Sequence, residues 1–270
     1  MGFSLATWNI NSVRLRIGLV EKLIREHAPD IICLQETKCP QGQFPSSSLK
    51  ELGYTHFAEH GQKGYHGVAI VSRIPLTSQS SLQFCGKQDC RHVNAIFGAE
   101  VPVSLHNLYI PAGGDEPDPE TNEKFAHKLS FLEEMEAWSK SRAVPKGHHA
   151  IAVGDFNIAP LEADVWSHKD LLKVVSHTPV ETAILQRIQQ AGKWTDVMRV
   201  HVPPDQKLYT WWSYRAKDWD VSNRGRRLDH IWASDGLAHA CSSMKVIREA
   251  RGWTQPSDHV PVIATFDLKL

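Results

Sequence analysis

Gly154-Asp155-Phe156-Asn157 closes the apolar run Ala150-Ile151-Ala152-Val153. Side chains alternate along an extended backbone, so Asp155 and Asn157 are expected on one side of a strand end. Two neighbouring oxygen donors there suit a hard divalent cation and an attacking water. An Asx turn ending a strand would explain the same four residues with no chemistry at all. Other strand ends decide between these readings. Glu36 lies just beyond Ile31-Ile32-Cys33-Leu34, Asn9 follows the segment Phe3 to Trp8, and Asp258-His259 precedes Val260 to Phe266. A carboxylate at the end of a buried strand must be paired or bind a metal, because a desolvated lone charge is costly.

Two further groupings extend the set. His259 can exchange a proton with a phosphate oxygen only if its tautomer is fixed, commonly by a carboxylate on the other ring nitrogen. Asp229, in Arg227-Leu228-Asp229, is the candidate for that task. Aromatic and basic residues then interleave from Tyr209-Thr210-Trp211-Trp212-Ser213-Tyr214-Arg215 to Asn223-Arg224-Gly225-Arg226-Arg227. Such a stretch fits a surface that contacts phosphates and packs on a sugar or base. A hairpin with core tryptophans and solvated charges is the plainer alternative.

The elements that must position these residues can be read from periodicity. Phe3 to Trp8 is expected as a strand, and Val13, Ile17, Val20 and Ile24 as one face of a helix reaching His27, before a second strand at Ile31 to Leu34. Short apolar runs at Tyr54 to Phe57, Val68 to Val71, Val93 to Phe97 and Val103 to Tyr109, broken by turn residues, indicate mainly antiparallel sheet. Phe125, Leu129, Leu132, Met135 and Trp138 mark the core face of a long helix. Val180 to Ala191 is expected as a helix, and Tyr209 to Trp212, Leu228 to Trp232, Met244 to Ile247 and Val260 to Phe266 as strands. No linker or short repeat divides the chain, and each half ends its strands in acidic and amide residues. One domain over residues 1–270, made of two similar sheet layers, would bring both sets to one edge.

Composition narrows the class. With 41% hydrophobic and 22% charged residues the 270-residue chain is an ordinary globular one. Its 30 basic residues balance 30 acidic ones, so any attraction for a polyanion must be local. Five cysteines at irregular spacing argue against a disulfide framework or a structural zinc site and favour a reducing cytoplasm. No leader and no membrane-length apolar run is seen, so a protein free of the membrane is expected.

Taken in order, Trp8-Asn9-Ile10-Asn11, Leu34-Gln35-Glu36-Thr37-Lys38, His60-Gly61-Gln62-Lys63-Gly64, Asn107-Leu108-Tyr109-Ile110-Pro111, Gly154-Asp155-Phe156-Asn157, Thr210-Trp211-Trp212, Arg227-Leu228-Asp229 and Ser257-Asp258-His259 closely resemble the exonuclease III class. These are the apurinic/apyrimidinic endonucleases of the endonuclease/exonuclease/phosphatase superfamily. The resemblance runs from residue 3 to about residue 267. It implies an α/β four-layered sandwich, with two mostly antiparallel sheets face to face and helices outside, as in deoxyribonuclease I. It implies Mg²⁺, with Mn²⁺ as a substitute, held by Glu36 with Asn9 and Asp258 nearby; the family leaves open whether one metal acts or two, and Asp155, Asn157 and His259 are the further candidate ligands. Asp155 would be the general base, positioned by Asn157; His259, oriented by Asp229, would stabilise the pentacovalent phosphate, with Tyr109 beside it.

The implied substrate is double-stranded DNA, cut 5′ to an abasic site or trimmed from a 3′ end, by a monomer. Trp211, Trp212 and Leu228 match the pocket for a flipped abasic sugar, and Arg91, Arg215, Asn223 and Arg224 the DNA contacts. Two departures stand out: Ala112 replaces a phosphate-binding amide and is followed by acidic Asp115, and Glu162 to Val175 matches no familiar relative. A phosphatase of small phosphate esters from the same superfamily, or an inert DNA-binding relative, are the alternatives.

Overall fold

The computed structural model describes residues 2–142 and 144–270. Two six-stranded sheets carry the architecture. The first runs in the order Cys241–Val246, Val262–Phe266, Phe3–Asn9, Ile31–Gln35, Val68–Ser72, His56–His60; the second runs Leu76–Ser80, His92–Phe97, Val103–Tyr109, His149–Asp155, Asp229–Ser234, Trp194–Asp196. Pairing is antiparallel except at one place in each sheet. Phe3–Asn9 lies parallel to Ile31–Gln35, and Val103–Tyr109 lies parallel to His149–Asp155. A parallel pair requires a long crossover, supplied here by the helices Val13–His27 and Glu123–Ser141.

Alternation within the strands explains the layers. Leu5, Ile31, Cys33 and Ile70 face Val93, Leu105, Ile151, Val153 and Ile231 in the core between the sheets. The intervening Ala6, Trp8, Ile32 and Leu34 face outward against Val13, Val20, Leu23 and Ile24 of the first helix. On the other side Leu108, Ala150 and Ala152 pack on Phe131, Leu132 and Met135 and on Ile184, Leu185 and Ile188 of Pro179–Ala191. Strands buried on both faces read as continuous apolar runs, which is why they stand out in the sequence. The four-layered arrangement expected from the resemblance is the one observed.

Some boundaries differ. The strand expected at Tyr54 to Phe57 spans His56–His60, and that at Tyr209 to Trp212 shortens to Trp211–Trp212. Leu76–Ser80, almost entirely exposed, is an edge strand with too little apolar patterning to be recognised. The unmatched segment folds into two short helical turns, Glu162–Asp164 and His168–Leu171. It is anchored by Asp164, whose carboxylate receives Arg227 Nε at 2.6 Å and Nη2 at 2.9 Å and also the guanidinium of Arg199. Burial would push the Asp164 carboxyl up, but Arg227 and Arg199 outweigh it and hold it low.

A buried amide pair crosses between the sheets. Gln35 Nε2 donates to Thr7 Oγ1 at 3.0 Å within its sheet and to Asn107 Oδ1 at 2.7 Å in the other. Asn107 Nδ2 returns to the carbonyls of Leu34 and Ala69 at 3.0 and 2.9 Å. Asn107→Ala should therefore destabilise the protein by about 1–3 kcal/mol for each buried group left unpaired, read as a lower urea midpoint.

Three interior histidines are wired as neutral rings. The Leu82 N–H donates to His92 Nδ1, His92 Nε2 to His106 Nδ1, and His106 Nε2 to Ser104 Oγ. His230 donates from Nε2 to Ile158 O while its Nδ1 receives Arg227. Burial pushes His92 down to about 3, His230 to about 4 and His106 well below the ordinary value. As pH falls below about 6.5 the unfolded chain gains protons that these rings refuse, so stability drops until the folded values are reached. Asp155, raised to about 7, titrates in the opposite sense and offsets one of the three. Unfolding free energy should fall by on the order of 2 kcal/mol per pH unit between about pH 6 and 4.5; a flat profile there in denaturation curves would contradict this wiring.

Candidate active site

The carboxyl ends of both parallel pairs open at the same edge of the sandwich. Asn9 is in register with Gln35, and Tyr109 with Asp155, while Asp229 pairs antiparallel to Asp155. Gly154 makes the close packing there possible. Its φ is +136°, and a Cβ would lie 1.9 Å from Leu108 O in the neighbouring strand. Beyond Asp155 the chain does not continue extended, as the alternation argument supposed. Asn157 has a φ of +53°, and its N–H donates to Asp155 Oδ1 at 2.9 Å. The turn and the site are thus the same object: an Asx turn brings Asn157 Nδ2 back to Asp155 Oδ2 at 3.2 Å and to Ile110 O at 2.9 Å.

A continuous chain of contacts crosses the floor. Asp229 Oδ2 accepts from His259 Nδ1 at 2.8 Å, and His259 Nε2 faces Asp155 Oδ2 at 3.5 Å. Asn9 Nδ2 donates to Asp155 Oδ2 at 2.9 Å and to Glu36 Oε1 at 3.0 Å, and Tyr109 Oη donates to Glu36 Oε1 at 2.9 Å. Lys38 Nζ lies 3.0 Å from Glu36 Oε2, and Trp211 Nε1 donates to Asp258 Oδ2 at 2.9 Å.

Electrostatics follow from this packing. Burial would push His259 down, but Asp229 and then Asp155 override it and lift the imidazole to about 10. Burial raises Asp155 to about 7, against the opposing pull of His259. For Glu36 the cost of burial is outweighed by Asn9 and Lys38, leaving it low; for Asp258 His259 and Trp211 do the same. Tyr109 is driven well up by burial and by Glu36, so it stays a neutral donor.

The floor opens into a cleft of about 720 Å³. Trp166, Leu171, Val174, Trp211 and Leu228 form an apolar wall, and Arg215, Arg224 and Arg226 lie along it. Arg224 sits 4.7 Å over the Trp166 ring and Arg226 5.3 Å over Trp211.

Several residues occupy places other than those expected. Trp212 is 2% exposed and packs in the outer core against Trp219 and Tyr209, so it lines no part of the cleft; Trp166 takes the second aromatic position. Arg91 is buried, paired with Asp89, and donates to Tyr109 O at 3.2 Å, which makes it a prop for Tyr109 and leaves little of it for DNA. Asn223 caps a short helix and receives Trp212 Nε1. Asn9 turns its amide nitrogen to the two carboxylates and accepts the Asn11 N–H on its Oδ1, so it orients Glu36 and Asp155. Both nitrogens of His259 face carboxylates, and with Asp155 and Asp229 it forms a buried group whose ligand atoms lie close enough together to hold a metal ion. Sequence reasoning missed Trp166 and Lys38 as site residues, and included Arg226 only as part of a basic stretch. Trp166 lies in the unmatched segment, where an isolated tryptophan amid charged residues was the available signal.

This fold and site define a phosphodiester hydrolase, and comparison with known proteins agrees. Residues 6–259 match the Endonuclease/Exonuclease/phosphatase family, and the chain belongs to it. Exodeoxyribonuclease III of Haemophilus influenzae is 31% identical, over 96% of this chain and 98% of its own. The AP endonuclease of Archaeoglobus fulgidus superposes with a TM-score of 0.89 at 31% identity, covering 98% of this chain and all (100%) of that one. A Neisseria 3′ phosphatase, NExo, bound to a product DNA hairpin, gives 0.87 at 31% identity with the same coverage, 98% and 100%.

The donor set fits a divalent cation. Glu36 and Asp258 present carboxylate oxygens to the cleft beside Asp155 and Asn157, a hard, oxygen-only set of the kind Mg²⁺ or Mn²⁺ takes. Because the Trp211 indole is bonded to one of these carboxylates, cation binding should change tryptophan emission. Titration with Mg²⁺ should show a saturable change that EDTA reverses and that Glu36→Gln weakens by at least about tenfold; an identical titration in that variant would remove Glu36 from the set.

Proposed function

We propose that this chain is a Mg²⁺-dependent DNA repair nuclease that cuts duplex DNA 5′ to abasic sites and trims or unblocks 3′ ends, leaving a 3′-hydroxyl. The observation that carries the reading is the contact chain Asp229–His259–Asp155–Asn9–Glu36–Tyr109 at the foot of a cleft with an aromatic wall. A bound Mg²⁺, or Mn²⁺ in its place, held by Glu36 and Asp258, supplies charge neutralisation at the phosphate and its leaving oxygen.

The protein's own groups supply the rest. Asp155 takes a proton from the attacking water, and Asn157 and Asn9 fix which lone pair points at it. His259, locked by Asp229 with its Nδ1–H committed, directs Nε2–H to a phosphate oxygen and stabilises the pentacovalent state. Tyr109, whose one phenolic proton is held by Glu36 in the free protein, turns it to the same phosphate when the substrate enters. Trp166, Trp211 and Leu228 pack a sugar that lacks its base, a selection made by shape once the nucleotide is turned out of the stack. Arg215 and Arg224 contact the flanking backbone, which lets a chain of no net charge bind DNA through one face. The protein acts as a monomer. No described helix is long and apolar enough to cross a membrane.

The decisive assay uses two labelled duplexes, one with a single abasic-site analogue and one undamaged with a recessed 3′ end. Magnesium-dependent incision 5′ to the lesion, abolished by EDTA, is expected; 3′ shortening alone would restrict the protein to exonuclease action, and cleavage of neither would overturn the reading. On the cleaved duplex Asp155→Ala should lower kcat by about 10²–10⁴-fold with duplex affinity nearly unchanged. Asp229→Asn should lower it by about 10–100-fold, because it loosens the orientation of His259. Near wild-type turnover in either variant would remove that residue from its role.

A further inference from the structure

One interior cation takes no part in the scheme above. Lys128 lies on the inner face of the Glu123–Ser141 helix with no exposed surface, where each of its three ammonium protons needs an acceptor. Each has one. Nζ donates to Glu181 Oε1 at 2.5 Å, to Asn157 O at 2.8 Å and to Ala112 O at 3.3 Å.

These contacts reach three separate segments that line the cleft. Ala112 begins the loop that runs to Asp115, and Asn157 belongs to the turn that grips Asp155. Glu181 carries the third contact onward. Its oxygens each accept the Ser176 N–H at 3.0 Å, and they also receive the backbone and hydroxyl of Thr178 at 3.2 and 2.6 Å. Ser176 Oγ in turn receives Arg226, the residue that lies over Trp211. The lysine stem is fitted as closely as its head. Gly113 has a φ of +91°, and a Cβ there would come within 2.9 Å of Lys128 Cδ and 3.0 Å of Val175 Cγ1.

A buried ion pair is seldom required for stability, since well-packed apolar residues of similar volume commonly serve as well or better. Apolar residues cannot hold carbonyl groups of different loops at fixed points. We propose that Lys128, together with Glu181, is a positioning residue for the hydrolytic site: its ammonium clamps the Asn157 turn to the loops at 112 and 176, and so aims Asp155 and sets the width of the cleft. The clamp grips Asn157 from behind by its carbonyl, while the N–H and Nδ2 of the same residue hold Asp155 at 2.9 and 3.2 Å. A non-glycine residue in the left-handed region keeps that conformation only where its surroundings fix it. Lys128 touches neither the substrate nor the reacting atoms.

The inference rests on the role given to Asp155, and its test compares kcat, KM and urea denaturation on whichever duplex the wild type cleaves, so it does not depend on the lesion. Lys128→Met should lower kcat by about 10–100-fold while KM changes by less than about threefold. The double variant Lys128→Met/Glu181→Gln, which keeps an acceptor for the Ser176 and Thr178 donors, should recover part of the urea midpoint lost in the single variant but not its kcat. Recovery of both together would make the pair merely structural and overturn the proposal, as would wild-type kcat in Lys128→Met. Should Lys128→Met fail to fold, Glu181→Gln decides, since it keeps the volume and removes the charge. The variant will unfold at lower urea because Lys128 loses its counter-charge, so kcat is read where the variant is fully folded: a lower kcat there that the double variant does not restore supports the clamp, and an unchanged kcat overturns it.

Discussion

The hydrogen bond between Gln35 and Asn107 sets the position of one sheet against the other, and the site depends on that position. Apolar contact between two sheets is non-directional and tolerates small slips. A buried amide pair does not, because a shift of an ångström strands donors and acceptors in a dry interface. The pair lies one residue before Glu36 and two before Tyr109, so the bond that fixes the sheets also fixes the 2.9 Å contact between the residues that leave them. Glu36 belongs to one sheet and Asp155 to the other, and Asn9 spans them with a single amide nitrogen. The hydrolytic groups are assembled by docking of the two layers and exist in neither layer alone.

Charge is arranged in two tiers. Around the cleft the acids Glu36, Asp155, Asp229 and Asp258 outnumber the cations in contact with them, His259 and Lys38, which leaves the floor receptive to a divalent ion. Behind it, Lys128 and Arg227 are wholly buried and fully bonded. Their charges are spent on the segments that form the walls. Arg227 ties the turn at Asp164 to the strand that carries Asp229, while Lys128 ties three loops together. Interior cations thus hold the frame, and Arg215 and Arg224, which face the cleft, stay available to a polyanion.

Much of this was legible in the sequence, for a physical reason. Strands covered on both faces appear as unbroken apolar runs, and Glu36, Asp155 and Asp258-His259 stood out because each interrupts or borders such a run with a charge. The pairing of Asp229 with His259 could be anticipated from the need to fix a tautomer. What stayed hidden depended on three-dimensional packing that no local pattern records. Trp211 and Trp212 are adjacent and chemically alike, yet the strand sends one to the cleft and the other to the core. Arg91 reads as a surface cation until Asp89 and Tyr109 are seen to enclose it. Lys128 sits on an apolar helix face among charged neighbours, and only the approach of the loops at Ala112, Asn157 and Ser176 shows why. Asn157 was placed beside Asp155 for the wrong reason, since a left-handed turn and not strand alternation brings it there.

Trp211 belongs to both halves of the cleft. Its ring face forms part of the apolar wall, and its N–H is bonded to Asp258 at 2.9 Å. Whatever packs against the ring restricts the indole and with it the carboxylate; whatever captures the carboxylate restricts the ring. Two ligands that draw on the same group are thermodynamically linked, and the linkage is reciprocal. A cation held by Asp258 and a group packed on the ring would therefore change each other's affinity by one and the same factor, which makes the indole a physical link between the acidic floor and the apolar wall.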